Sequence, residues 1–331
     1  MRGGRPGCRG LGFRGKARAG ARLGASPDRR RQRALPASAM MAQLARRSRA
    51  AALRAARQPG CGRGASREAA RASAGGHAVE RAGEFGTHEW RAYLTWNSSR
   101  VSAWHDVPLL AGGGPPRLLS FVNEIPQGST PKLEVATKEH ANPVAQDTKK
   151  GKLRDYPFAI NWNYGLIPQT FEDPALSHPG SNVLGDDDPL DALELSGTAR
   201  ATGAVLPVKV VGALALVDDG ELDWKILTLA AEDERASRIN GPKELEQEMP
   251  GEVARVHAWF RDYKKPDGKP ENEFLYNGEC TSAEYAQKVI DESHEAWRRL
   301  FNGERSNDDL GHSLWAANSN PQTTASSAAA A

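Results

Sequence analysis

Between residues 85 and 301 the chain sets short apolar runs against turn signals, and later gives way to helical spacing. Trp90 to Trp96 and Val101 to Leu110 read as strands joined at Asn97-Ser98-Ser99, and Leu118 to Ile125 as another that stops before Pro126. In Lys132 to Ala136 the alternation puts Leu133 and Val135 on one face and Lys132 and Glu134 on the other. Ala204 to Val217 is a nearly continuous Val-rich run; Asp219-Gly220 makes a hairpin turn, and Leu222 to Ala231 returns. Farther on, Val253, Val256, Phe260 and Tyr263 follow helical spacing. Thr281-Ser282-Ala283-Glu284 has capping-box form before a stripe of Tyr285, Val289, Ala296 and Leu300. Strands first and helices later predict an α+β fold, a sheet or small barrel covered by helices.

Composition changes this picture at both ends. Residues 1–79 carry 18 arginines and Lys16 against Asp28 and Glu68, a charge of +17; since the whole 331-residue chain is +3, the remainder is −14. With Phe13 as its one aromatic, the first stretch has too little apolar surface to offset the entropy of ordering. Arg-, Ala- and Ser-rich, nearly acid-free sequence is the composition of an organelle transit peptide, without the apolar stretch of a secretory signal. A basic arm that neutralises nucleic-acid phosphates is the alternative, and it lacks aromatic residues for stacking. We therefore expect a disordered leader over residues 1–80, one domain over 85–301, and a disordered tail over the polar residues 302–331. No run of 18 apolar residues occurs, so no membrane-spanning helix is expected. Cys8 and Cys61 fall in the leader, which leaves Cys280 alone in the body and excludes a disulfide framework.

The densest chemistry is Gly185-Asp186-Asp187-Asp188-Pro189-Leu190-Asp191, four carboxylates within six residues. At about 5 Å and an effective dielectric near 20, each like-charged pair costs on the order of 3 kcal/mol, so a folded cluster needs cations or protons. A solvated turn is the bland alternative. Oxygen ligands favour Mg²⁺, Mn²⁺ or Ca²⁺ over Zn²⁺. A calcium-binding EF-hand fails, because Asp191 stands where Gly is required and Gly197 where a bidentate Glu belongs. Asp218 and Asp223 flank the Asp219-Gly220 turn, so the hairpin brings both to one end, and Lys225 shares a face with Asp223. Taken singly, Lys264 reads as a complement to a helix C-terminus and Lys132 and Arg154 as surface ion-pair partners; taken together with Tyr263 and the carboxylates they form a set suited to a polyanionic phosphate. The chemistry this points to is metal-assisted phosphoryl transfer to water.

Asp186-Asp187-Asp188-Pro189-Leu190-Asp191-Ala192 resembles the signature of the family I soluble inorganic pyrophosphatases. The resemblance continues in order through Glu124-Ile125-Pro126, Lys132-Leu133-Glu134, Gly151 to Arg154, Asn163-Tyr164-Gly165, Asp218 to Lys225 and Trp259 to Asn272. The short Tyr156 to Tyr164 segment is similar to the plastid branch, which together with the leader makes the plastid stroma the expected location, with the mitochondrion as alternative. The resemblance implies a five-stranded, OB-like β-barrel with flanking helices. It also implies several Mg²⁺ ions and hydrolysis of pyrophosphate to two phosphates by direct attack of a metal-bound hydroxide, without a phosphoenzyme. Carried over by position, Asp186, Asp191 and Asp223 match ligands of the central metals, Asp218 a ligand of a further metal, and Glu134 a carboxylate acting through metal-bound water. Asp188 matches the base; Lys132, Arg154, Tyr164, Lys225, Tyr263 and Lys264 match the phosphate-binding donors; Glu124 matches an acid at the edge of the site.

Gln127, Asp155, Asp187 and Asp219 depart from the family pattern, and Asp155 and Asp187 add negative charge beside the site. A silent relative used as a scaffold would have lost one of the matched residues. An OB-like nucleic-acid binder would have a basic body, whereas this one is −14 with its basic charge in the leader. Neither nucleic acid nor a membrane is expected as a partner, and assembly is left as monomer or homodimer.

Overall fold

The computed structural model of the chain describes residues 76–178 and 181–317. The expected leader therefore lies outside the described residues as far as position 75, and the last part of the tail, from 318, does so too. The residues just before and after position 80 form strand β1 (Ala78–Ala82), antiparallel to β2 (Arg91–Trp96), onto which β3 (Ser99–Val101) folds back. The strand expected from Val101 to Leu110 ends where it should begin. There the Ser102 hydroxyl accepts from the N–H groups of Trp104 and His105 at 3.2 and 2.8 Å, and Asp106 accepts from Ser102 N at 2.7 Å. Local side-chain oxygens satisfy this backbone in place of a sheet partner.

The remaining strands are β4 (Leu119–Ile125), β5 (Leu133–Val135), β6 (Val144–Gln146), β7 (Thr148–Lys149), β8 (Lys152–Leu153), β9 (Asn163–Leu166), β10 (Asp191–Glu194), β11 (Val205–Asp218), β12 (Glu221–Ala230) and β13 (Glu273–Phe274). One sheet joins β1, β2, β3, β6 and β5. In the other, β4, β9, β10, β12 and β11 pair in succession and β11 pairs again with β4, so five strands close into a ring with β13 beside β11. Asp219 and Gly220 take φ of 51° and 97°, as the two-residue turn between right-twisted strands requires. Gly165 is fixed by packing: a side chain there would meet the Val122 carbonyl oxygen at 2.0 Å, so only glycine lets β9 lie this close to β4.

Three α-helices follow, α1 (Pro242–Glu248), α2 (Glu252–Asp262) and α3 (Ala283–Phe301). Trp259 and Phe260 of α2 pack in one cluster with Leu214, Leu216, Leu227 and Leu229 of the long hairpin. Ala286, Val289 and Ile290 of α3 pack with Ala213, Ala215 and Ile226, whose side chains alternate to the other face. The N-cap of α3 is Ser282, one residue past the expected Thr281, with its hydroxyl accepting from Tyr285 N at 3.2 Å.

The tail expected from residue 302 is corrected by the structure. Residues 302–317 lie along the body, with Leu310 and His312 buried and Leu310 in a cluster with Trp104, Phe171, Trp297 and Leu300. Polar composition misled here because Asn307 satisfies the segment's own backbone, accepting from His312 N at 3.0 Å and donating to His312 O at 2.7 Å. Among the described residues no helix is long and apolar enough to cross a membrane.

Candidate active site

All thirteen side chains singled out from the sequence line one cleft of about 460 Å³. The strand pattern accounts for much of this. Asp223 and Lys225 stand two apart on β12, and the parallel pairing of β10 with β12 sets Asp191 opposite Lys225. Lys225 is buried and donates to Tyr164 Oη at 2.9 Å and to Asp191 and Asp223 at 2.5 Å each. Tyr164 in turn donates to Asp191. The acidic loop is laid onto the segment at Glu172: Asp187 N donates to Glu172 O at 3.0 Å, and Glu172 N donates to Asp188 O at 2.9 Å. Gly185 permits this approach, since a Cβ there would meet the Glu172 carbonyl oxygen at 2.4 Å.

On the opposite wall Lys132 contacts Glu134 and reaches Asp147 at 3.1 Å, while Arg154 pairs with the same Asp147. Tyr263 donates to Asp218 at 2.8 Å, and Lys264 contacts Asp218 and lies 3.1 Å from Asp219. Glu124 is buried, with Oε1 accepting from Val135 N at 2.6 Å.

Sequence reasoning passed over two residues. Glu172 offers a carboxylate oxygen that lies, with one each from Asp186 and Asp223, inside a mutual distance of 4.8 Å. Its Oε1 accepts from Trp224 N at 3.2 Å, while Oε2 is buried without a hydrogen-bond partner. Glu172 stands alone among uncharged neighbours on its N-terminal side, so nothing local in the sequence marked it. Asp147, the hub of the Lys132 and Arg154 pairs, was unmarked in the same way.

The electrostatics are those of a set of charges that is incomplete. Eleven carboxylates and six lysine or arginine side chains line the cleft, an excess of five negative charges. Burial, then Asp223 and Asp188, pushes the Asp186 carboxyl well above its usual range, and burial with Asp186 does the same to Glu172. Burial raises Asp223 to about 6 against the pull of Lys225. Asp188 presents its side chain to the cleft, but the protein crowded around it, followed by Glu134, pushes it up to about 8. Burial, together with Lys269, Arg154, Lys149 and Lys132, lowers Lys264 to about 8. Carboxyl groups that resist ionisation and an amine that resists protonation share one cavity, so the cavity favours bound cations and a bound anion together.

The model of the family described as inorganic pyrophosphatase matches residues 121–298 of the chain. The chain belongs to the inorganic pyrophosphatase family. Among its relatives in that family, the soluble inorganic pyrophosphatase 1, chloroplastic, of Chlamydomonas reinhardtii is 45% identical over 233 residues, 70% of this chain and 82% of the relative. The soluble inorganic pyrophosphatase 6, chloroplastic, of Arabidopsis thaliana is 47% identical over 211 residues, 63% of this chain and 69% of the relative. Among solved structures, the N-terminally truncated vacuolar soluble pyrophosphatase of Trypanosoma cruzi in complex with PPi superposes with a TM-score of 0.66 at 34% identity, covering 75% of this chain and 99% of that one. The family match begins inside β4 and ends near the close of α3, so it takes in every strand of the five-membered ring and every candidate residue of the cleft.

Proposed function

We propose that this chain hydrolyses inorganic pyrophosphate to two phosphates, with Mg²⁺ held by the cleft carboxylates. The observation that carries this reading is the charge pattern of the cleft, an excess of carboxylates facing a ring of cations. Pyrophosphate accompanied by divalent ions complements both halves of that pattern.

The residues fit a hard cation. Every donor in the Glu172, Asp186 and Asp223 group is a carboxylate oxygen, and Glu172 Oε2 is buried without a partner. Asp186, Asp191 and Asp223 would hold the central ions, Asp218 a further one, and Glu134 would act through coordinated water. Bound divalent ions supply neutralisation of developing charge and a lowered pKa for coordinated water.

The protein groups have separate tasks. Asp188, which presents its side chain to the cleft, would accept the proton of the attacking water once bound cations favour its ionised form. Lys132, Arg154, Tyr164, Lys225, Tyr263 and Lys264 orient phosphate oxygens and stabilise the departing phosphate. Several of them now contact carboxylates and would exchange those partners for phosphate, as Lys264 would leave Asp218. Glu124 supports the edge of the site through Val135 N. Direct attack by water, without a phosphoenzyme, is the course that the family resemblance implies. The closed ring of five strands fits the OB-like barrel that the family resemblance implies. Leader composition, together with the chloroplastic names of two relatives, supports the plastid stroma as the site of action.

The test is phosphate release from pyrophosphate by the full chain. Release is expected with Mg²⁺ and not in its absence; no release under either condition overturns the reading.

A further inference from the structure

Asp186 and Asp188 line the cleft, whereas Asp187 between them does not. Asp187 has φ of 72°, in the left-handed region that a residue with a side chain adopts at a cost. Its backbone is held by the bond from Asp187 N to Glu172 O, and its side chain by His312, whose Nε2 lies 2.9 Å from Asp187 Oδ1. Because a carboxylate only accepts, the histidine donates through Nε2.

His312 is itself firmly placed. Its ring is buried and stands edge-on to Trp104 and Phe171, at centroid distances of 5.2 and 5.7 Å. The Asn307 side chain bonds both its backbone N–H and its carbonyl. The next residue is anchored as well: Ser313 N donates to Thr137 O at 2.8 Å, and Ser313 O accepts from Asn142 Nδ2 and His105 Nε2 at 3.1 Å each. The segment after α3 thus crosses behind the acidic loop and is tied down on both sides of one donor.

We propose that His312 is a positioning residue, which holds Asp187 in its left-handed conformation from behind and so fixes the directions in which Asp186 and Asp188 enter the cleft. Rotation about the Asp187 backbone would swing both flanking carboxylates, and reaction of a positioned water tolerates little misplacement. The inference rests on the pyrophosphatase reading for its kinetic part and on the loop geometry alone for the rest.

The full chain is compared with three variants. His312→Leu keeps the packing and removes the donor; His312→Gln keeps an N–H donor; Asp187→Gly accepts the left-handed backbone but removes the acceptor. At saturating Mg²⁺, His312→Leu and Asp187→Gly are expected to lower kcat about tenfold with KM changed less than about twofold, and His312→Gln to recover most of the loss. In metal-free protein, hydrogen exchange at the amides of residues 185–188 should be faster in His312→Leu and Asp187→Gly than in the parent and His312→Gln. Unchanged kcat and unchanged exchange in His312→Leu overturn the proposal, as does equal impairment by Leu and Gln. Failure of the parent chain to release phosphate would instead strike the pyrophosphatase reading, and the exchange comparison would still decide the role of His312.

Discussion

Under the segment 302–317, several buried polar groups meet neutral partners. The Ser102 hydroxyl donates to Asn142 Oδ1 at 2.6 Å, Trp297 Nε1 donates to His105 Nδ1 at 2.9 Å, and Trp104 Nε1 donates to the Thr170 carbonyl at 2.7 Å. In the cleft the buried groups are charged, and carboxylates outnumber cations. The three bonds under the segment are complete in the protein alone, so their polarity serves the fold. The cleft leaves Glu172 Oε2 unpartnered and pushes several acids upward, so its polarity becomes favourable only when something else binds.

Removing the proposed base tests that contrast most severely. Asp188→Ala should lower phosphate release by about 10²- to 10⁴-fold, the usual range for general acid–base catalysis, while the melting temperature stays the same or rises. Loss of activity together with a lowered melting temperature would mean that Asp188 serves the fold, and the contrast would fail.

Acid probes the other region. Burial holds His105 down to about 3, with the Ser313 carbonyl opposing and His312 adding to the depression. The unfolded chain takes up this proton near pH 6.5 and the folded protein only near 3. Between those values the unfolded state binds more protons, so stability falls as pH falls, by about 2 kcal/mol between pH 6.5 and 5. Urea titrations across that range, compared with His105→Gln, read the slope. An equal slope in the variant would remove His105 as its source.

Glu172→Gln sharpens the comparison because it should move stability and function in opposite directions. Removing one like charge beside Asp186 and Asp223 should raise the metal-free melting temperature by about 2–4 °C, corresponding to about 1 kcal/mol. The same change removes a ligand oxygen's charge, and half-saturating Mg²⁺ in the rate should increase about tenfold. A lowered melting temperature would place Glu172 with the satisfied polar groups instead.

The two regions also differ in how far they could be read from the residues. Much of the cleft was legible because carboxylates crowd into residues 186–191 and because hairpin and strand periodicity brings Asp218, Asp223 and Lys225 together, whereas Glu124, Tyr164 and the role of Glu134 were read only through the family resemblance. Glu172 and Asp147 were not, since each is a single acid whose meaning comes from partners distant in sequence. The long hairpin was legible from its apolar run. Residues 302–317 were not, because the bonds that order them run from Asn307, Ser313 and His312 to loops more than a hundred residues away or to the segment itself. Composition registers polarity but not whether it is satisfied, and the Val101 to Leu110 strand failed for the same reason at Ser102 and Asp106.

The smallest effect is expected at Asp155, which is exposed at the cleft. Its carboxylate adds to the negative excess that attracts metal, but an exposed charge is screened, so its contribution stays below about 1 kcal/mol. Asp155→Tyr should therefore raise half-saturating Mg²⁺ by only about twofold, with the shift shrinking as salt is added. The salt dependence separates this long-range effect from altered packing of the new ring, which salt would leave in place. Coincident Mg²⁺ titrations for parent and variant at low salt would show that the excess charge acts only through the carboxylates that touch the ions.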